Sequence, residues 1–130
     1  MNEVLEYLKS CGTFYLATNE GEQPHVRPFG AVCEFENKLY IITNNQKDVY
    51  RQIKENARVE ICGMSGGTWI RIKGELDEGL RRDARIAMME SNKSLSNMYN
   101  VDDNLMTVFY FKHGTATISS FTEPPKTITF

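Results

Sequence analysis

Residues 39–53 constrain the fold more than any other stretch. An apolar run, Leu39-Tyr40-Ile41-Ile42, has the length and content of a buried strand. The polar stretch Thr43-Asn44-Asn45-Gln46-Lys47 follows, and then a short amphipathic helix with Val49, Ile53 and Ala57 at i, i+4 and i+8. The spacing therefore predicts strand, polar turn, helix. A helix start presents unpaired N–H groups and a partial positive charge, which suits an anion. A hydroxyl, three carboxamides and a lysine gather at that point. Two readings stand side by side: a seat for the phosphate of a bound mononucleotide, or an ordinary helix cap with a solvated lysine.

The chain on either side is rich in β signals. Residues 2–10 read as a helix with Val4, Leu5, Leu8 and Cys11 on one side, Asn2 as its cap and Gly12 as its stop. Residues 13–18 read as a strand and 19–23 as a turn. Residues 25–35 form a strand pattern interrupted by Pro28 and Gly30. Proline cannot donate to a ladder, and glycine allows close approach of another group. That pattern suits an edge strand with a bulge, or a strand whose backbone is left free to meet a flat ligand. A tight turn at Glu36-Asn37-Lys38 leads into residues 39–42, and the helix of the opening stretch covers 48–56.

Strands follow at 57–64 and 68–75, joined by the hairpin turn Ser65-Gly66-Gly67. Ile70 and Ile72 point one way, Trp69, Arg71, Lys73 and Glu75 the other. A helix is expected over 80–91, with Leu80, Ala84, Ala87 and Met88 on its buried face. Residues 94–104 hold a short helical turn, 105–118 a long strand, and 126–130 a last short strand. Short turns between consecutive strands favour antiparallel pairing. The expected fold is mainly β with flanking helices, a small antiparallel barrel, as one domain over residues 1–130. Such a barrel is filled by its own side chains, so a cofactor would lie outside it or between subunits.

Charge and cysteine content remove several classes of function. Fifteen basic and seventeen acidic residues leave a net charge of −2, which argues against coating nucleic acid or anionic membrane. Three scattered cysteines and two histidines make no zinc set. The thiols read as reduced, and with no signal-peptide pattern or apolar span the chain reads as cytoplasmic. There is no G-x-S-x-G elbow, no G-x-G-x-x-G and no G-x-x-x-x-G-K. His25 and His113 read as surface or partner-facing residues. What remains is a scattered set that would have to converge: Arg27 as a planar fork for phosphate, Thr43 as a hydroxyl, Lys47 as a charge at the helix start. Trp69 is suited either to stacking on a flat ring or to core packing.

Three blocks carry a family resemblance: His25-Val26-Arg27-Pro28-Phe29-Gly30, then Leu39 through Lys47 to Ile53, then Trp69-Ile70-Arg71-Ile72-Lys73-Gly74-Glu75. In their order and spacing the chain resembles the FMN-binding split-barrel proteins related to pyridoxamine 5′-phosphate oxidase. It is most similar to the short members grouped with nitroimidazole-resistance proteins. The resemblance implies a split β-barrel and a homodimer with two FMN sites at the subunit interface. It implies that Arg27, Pro28 and Phe29 lie along the flavin, with Arg27 toward the phosphate. Ile42 and Thr43 would flank the ring and ribityl chain. Lys47, helped by Asn44, Asn45 or Gln46, would hold the phosphate, and Trp69 would contact the flavin of the other chain. The implied activity is an FMN-dependent oxidoreductase acting on a small flat acceptor, nitroreductase-like or oxidase-like. The alternative is a dimer that binds or senses flavin or haem without turnover. The oxidases carry a C-terminal arginine–histidine pair and a lysine soon after the arginine of the second strand. Residues 117–126 and 30–33 contain neither, which counts against oxidation of pyridoxamine phosphate.

Overall fold

A computed structural model describes residues 1–130. Its strands are β1 (Phe14–Glu20), β2 (Gln23–Phe29), β3 (Val32–Phe35), β4 (Lys38–Asn44), β5 (Arg58–Ser65), β6 (Thr68–Gly79), β7 (Met106–Ser120) and β8 (Lys126–Thr129). The helices are α1 (Asn2–Cys11), α2 (Asp48–Glu55) and α3 (Arg82–Ser91), with a 3₁₀ segment at Lys93–Asn97. Every strand pair is antiparallel. The strand order is β2-β1-β5-β6-β7-β4-β3, with β8 beside the second half of β7. The two end strands, β2 and β3, are joined only by Gly30 and Ala31. The order therefore curls back on itself and leaves a seam, which is the split barrel expected from the sequence.

Two apolar cores explain the run at 39–42. Leu39 and Ile41 face the barrel core with Phe14, Ile61, Ile70, Ile72, Phe109 and Phe111, together with Val4, Leu5 and Leu8 of α1 and Val49 and Ile53 of α2. Tyr40 and Ile42 face the opposite way, into a second core with Ala84 and Met88 of α3, Leu95, Met106 and Val108. A strand covered on both faces has no solvent side on which to alternate. The same holds for the first half of β7.

Several boundaries differ from expectation, each for a local reason. Asn2 is the first helical residue and not the cap; Met1 holds that position, with no side-chain hydrogen bond. Gly12 ends α1 at φ 72°, where a Cβ would be strained, and its N–H reaches the Lys9 carbonyl at 3.2 Å. The 25–35 pattern is two strands, because Gly30 and Ala31 carry the chain across the seam. Ala57 lies beyond the end of α2, and the third buried residue of that helix is Gln52. β6 runs on to Gly79, since β7 is long enough to pair with it throughout. Helix α3 therefore starts at Arg82, and Leu80 is 76% exposed.

β6 and β7 also share a bulge. Glu75 faces His113 and Leu76 faces Phe111, so Lys112 has no partner residue. Gly74 faces Gly114 just before it, and a Cβ at position 74 would lie 2.2 Å from the His113 carbonyl oxygen. Only glycine fits there.

All three cysteines are free: Cys62 exposed, Cys11 half-buried, Cys33 buried. Burial, with the charge of Glu34, pushes the Cys33 thiol up to about 12 from its ordinary 9.0. Well below pH 9 the thiol is protonated in both folded and unfolded chains. As pH rises toward 12 only the unfolded chain ionises, so stability drains away over that window. Mass-spectrometric mapping after alkylation at pH 8 is expected to find Cys62 modified first and Cys11 later. Cys33 is expected to react only on unfolding. No helix is long and apolar enough to cross a membrane.

Candidate functional site

The seam opens into a cavity of about 400 Å³, within the range of small-molecule sites. Four pieces of chain wall it: the end of β2 and the crossing (residues 27–31), the end of β4 (Ile42, Thr43), the start of α2 (Lys47, Val49), and residues 92–99. Half of its fourteen lining residues are hydrophobic. Two are cations, Arg27 and Lys47, and none is a carboxylate or a histidine.

Arg27 sits on the same face of β2 as His25 and Phe29, all three half-buried. Its guanidinium is oriented entirely by neutral acceptors. Nη1 donates to the Thr18 hydroxyl at 2.8 Å and the Leu16 carbonyl at 3.3 Å; Nη2 donates to Gln52 Oε1 at 2.7 Å. Thr18, itself buried, donates to the same Gln52 oxygen at 2.6 Å. Three elements thus converge on one guanidinium: β1 through Thr18, β2 through Arg27, and α2 through Gln52. Burial lowers the pKa of Arg27, an effect that the nearby Asp48 carboxylate opposes. Arg27 makes no ion pair; Asp48 turns instead to Arg51, 3.5 Å away.

Lys47 is the N-cap residue of α2. Its backbone N–H bonds the Asn44 carbonyl at 3.2 Å, while its ammonium has neither an ion pair nor a hydrogen bond within the chain. Two cations without ion-pair partners at one cavity, one of them beside a helix N-terminus, are an arrangement that an anion suits.

The structure brings Arg27, Pro28, Phe29, Ile42, Thr43 and Lys47 around this one cavity. Asn44, Gln46 and Trp69 lie outside its lining. The turn carboxamides bond one another and the neighbouring chain. Asn44 Oδ1 accepts the Gln46 N–H at 2.9 Å, and Gln46 Nε2 donates to Asn45 Oδ1 at 2.9 Å. Asn45 Nδ2 donates to the Asn104 carbonyl at 2.8 Å. Trp69 faces Ser119 across the sheet and packs against Phe121, ring centroids 5.0 Å apart. His25 lies 3.4 Å from Glu20 and His113 4.0 Å from Glu75, neither in the cavity wall.

Sequence reasoning missed one whole wall. Asn92, Ser94, Leu95, Met98 and Tyr99 line the cavity from the 3₁₀ region. Asn92 Nδ2 ties that region to the Val32 carbonyl at 3.0 Å. Leu95, Met98 and Tyr99 stand at i, i+3 and i+4, the spacing of the short helical turn expected there, but nothing local says that this turn closes over the cavity. Gln52 did leave a signal: it stands three residues after Val49, on the apolar side of α2.

Comparison with known proteins bears on the fold and the family. A family model described as pyridoxamine 5′-phosphate oxidase matches residues 1–118. No protein in the curated set matches the chain. Among solved structures, a NimC/NimA family protein from Clostridium acetobutylicum superposes with a TM-score of 0.98 at 50% identity, covering 100% of this chain and 92% of that one. A pyridoxamine 5′-phosphate oxidase-related, FMN binding protein from Nostoc punctiforme superposes at 0.64 with 16% identity, covering 99% and 90%. A heme binding protein from Mycobacterium smegmatis superposes at 0.73 with 11% identity, covering 92% of this chain and 53% of its own. At those two identities the likeness is one of fold alone. The family model and the 50% relative each span most or all of the sequence, and on that ground the chain belongs to the pyridoxamine 5′-phosphate oxidase family.

Proposed function

We propose that the seam cavity binds FMN and that the protein is an FMN-dependent oxidoreductase acting on a small flat acceptor. The observation that carries this reading is the pair Arg27 and Lys47, two cations without a carboxylate between them, set in a wall that is otherwise half apolar. A phosphate joined to a flat, largely apolar ring system meets both demands. The residues fit their parts. Arg27 offers donors in a fixed plane, held by Thr18 and Gln52. Lys47 adds a point charge at the start of α2, and Thr43 a hydroxyl. β2 ends the strand order, so alternate residues along it have no ladder partner on the outer side, and Pro28, which has no N–H to give the ladder, leaves its carbonyl available to the polar edge of a ring. Ile42 and Leu95, both buried, form the apolar part of the wall. When bound, FMN supplies the redox chemistry, and the chain supplies orientation, charge and dryness.

The proposal includes a homodimer in the reducing cytoplasm. The outer sheet face exposes Tyr15, Val26 and Met64, and Phe121 stands 90% exposed beside Trp69. Tyr15 is paired with Pro28 of the cavity wall, so this apolar face runs up to the site. A second copy laid on it would bring Trp69 toward the cofactor of its partner.

The test is the absorption spectrum of the purified protein, with and without added FMN. Flavin bands are expected. FMN at 100 times its Kd is expected to add about 2.7 kcal/mol, or about 10 °C in melting temperature. Protein that stays colourless and melts unchanged in excess FMN defeats the proposal. A haem spectrum would replace the cofactor. Bound flavin that reduces an acceptor no faster than free FMN would reduce the reading to a binding or sensing module.

A further inference from the structure

The turn carboxamides do not line the cavity, yet one of them controls a group that does. Asn44 Oδ1 accepts the backbone N–H of Gln46 at 2.9 Å. A backbone N–H can only donate, so this bond settles which atom of the Asn44 amide faces which way. Nδ2 is left facing the Tyr99 hydroxyl at 3.0 Å. An amide nitrogen also can only donate, so the Tyr99 oxygen is the acceptor. The phenolic proton then has no acceptor within the chain and remains free to point elsewhere. Tyr99 lines the cavity that holds Arg27 and Lys47. Its backbone N–H bonds the Leu95 carbonyl at 2.9 Å, which holds the residue at the end of the 3₁₀ segment. Its hydroxyl is tied to the residue that opens the turn carrying Lys47. Accepting one hydrogen bond also makes a hydroxyl a better donor of the next.

We infer that Tyr99 is a ligand-binding residue of this site, donating its hydroxyl proton to a phosphate oxygen of the bound mononucleotide alongside Arg27 and Lys47. Asn44 is its positioning residue: it touches no ligand and acts by keeping the Tyr99 proton free. This inference rests on the FMN reading and assigns the third donor to its phosphate. The donor that a turn of this composition suggests at Asn44 is in effect delivered by Tyr99, which stands 55 residues further along the chain.

The experiment compares FMN with riboflavin, which shares the ring but lacks the phosphate, by fluorescence titration of the apoprotein. Tyr99→Phe is expected to weaken FMN by about 10-fold or more, the usual effect of losing a hydrogen bond to a charged group, and to leave riboflavin unchanged. Asn44→Asp keeps the acceptor for the Gln46 N–H but turns a carboxylate toward Tyr99. That carboxylate accepts a hydrogen bond from the phenolic O–H and turns it away from the ligand, so FMN is expected to weaken at least as much as in Tyr99→Phe, again without a change for riboflavin. If wild-type protein binds FMN and Tyr99→Phe binds it equally well, the assignment is overturned and the flavin reading stands. Equal weakening of both flavins by Tyr99→Phe overturns it too, since the contact would then be to the ring. Wild-type protein that binds neither flavin overturns the flavin reading, and this assignment with it.

Discussion

Arg27→Gln is expected to weaken FMN binding by about 10- to 100-fold. A charge-assisted hydrogen bond contributes roughly 1.5–3 kcal/mol, and Arg27 is one of only two cations in the cavity wall. The loss should be nearly pure loss of binding. The Thr18 hydroxyl still donates to Gln52 Oε1 when the guanidinium is gone, so each of those two side chains keeps one partner and Thr18 loses only the bond it accepts. Removing a half-buried cation that has no carboxylate partner also relieves a desolvation cost. The apoprotein should therefore melt within about 1 kcal/mol of wild type. Calorimetry of the apoprotein and fluorescence titration with FMN separate the two effects. Unchanged FMN affinity would remove Arg27 from the site. A collapsed apoprotein would mean that the Thr18–Gln52–Arg27 triangle holds the fold more than it holds a ligand.

Gly74→Ala is expected to be the most damaging small change in the chain. The added methyl would lie 2.2 Å from the His113 carbonyl oxygen and 3.0 Å from Gly114 Cα, so the obstruction is backbone and cannot rotate away. β6 and β7 would have to separate beside their bulge, where Glu75 and Leu76 already change register. Overpacking typically costs about 1–3 kcal/mol and occasionally more; contact with backbone on a central strand pair places this case at about 3 kcal/mol or above. That is roughly a 10 °C fall in melting temperature. Gly67→Ala is the control. Nothing lies within 4 Å of a Cβ there, and the change should stay within about 0.5 kcal/mol. Thermal unfolding of the two variants side by side checks the contrast. Equal stability would mean that the β6–β7 pair gives way at no cost.

What could be read in advance follows from how local each signal is. The strands, the hairpin turns and α2 announced themselves because alternation, turn residues and helical spacing act over a few neighbours. Glu36 and Asn37, both at positive φ, complete the β3–β4 hairpin where the tight turn was expected. Pro28 and Gly30 marked an irregular place, but not that the chain leaves one end of the strand order there and joins the other. That depends on β7 lying between β6 and β4. Leu80 looked like the start of a buried helical face because it precedes Ala84 and Met88 at helical spacing. Pairing between Gly79 and Val108 keeps the chain extended past that point. In the site, the strand and turn residues near Lys47 were visible and the 92–99 wall was not. Its residues announce only a short helical turn, and reach the cavity because α3 packs across β3 and β4. The direction of the Asn44 amide is more remote still, since two hydrogen bonds decide it.

The position of β7 has a consequence for how the chain is made. Ile42 pairs with Val108 and Ile70 with Ile118, so both halves of the sheet wait for the same late strand. A ribosome adds about 5–20 residues per second and releases the N-terminal parts first. For some seconds the β3–β4 hairpin stands outside the ribosome with Leu39 and Ile41 facing the already translated α1 and β1, while Tyr40 and Ile42 still lack Ala84, Met88, Met106 and Val108 to cover them. The protein is at its most vulnerable then, before its keystone has been translated. Substitutions that speed the closing of that window would raise the yield of folded protein while leaving the finished molecule no more stable.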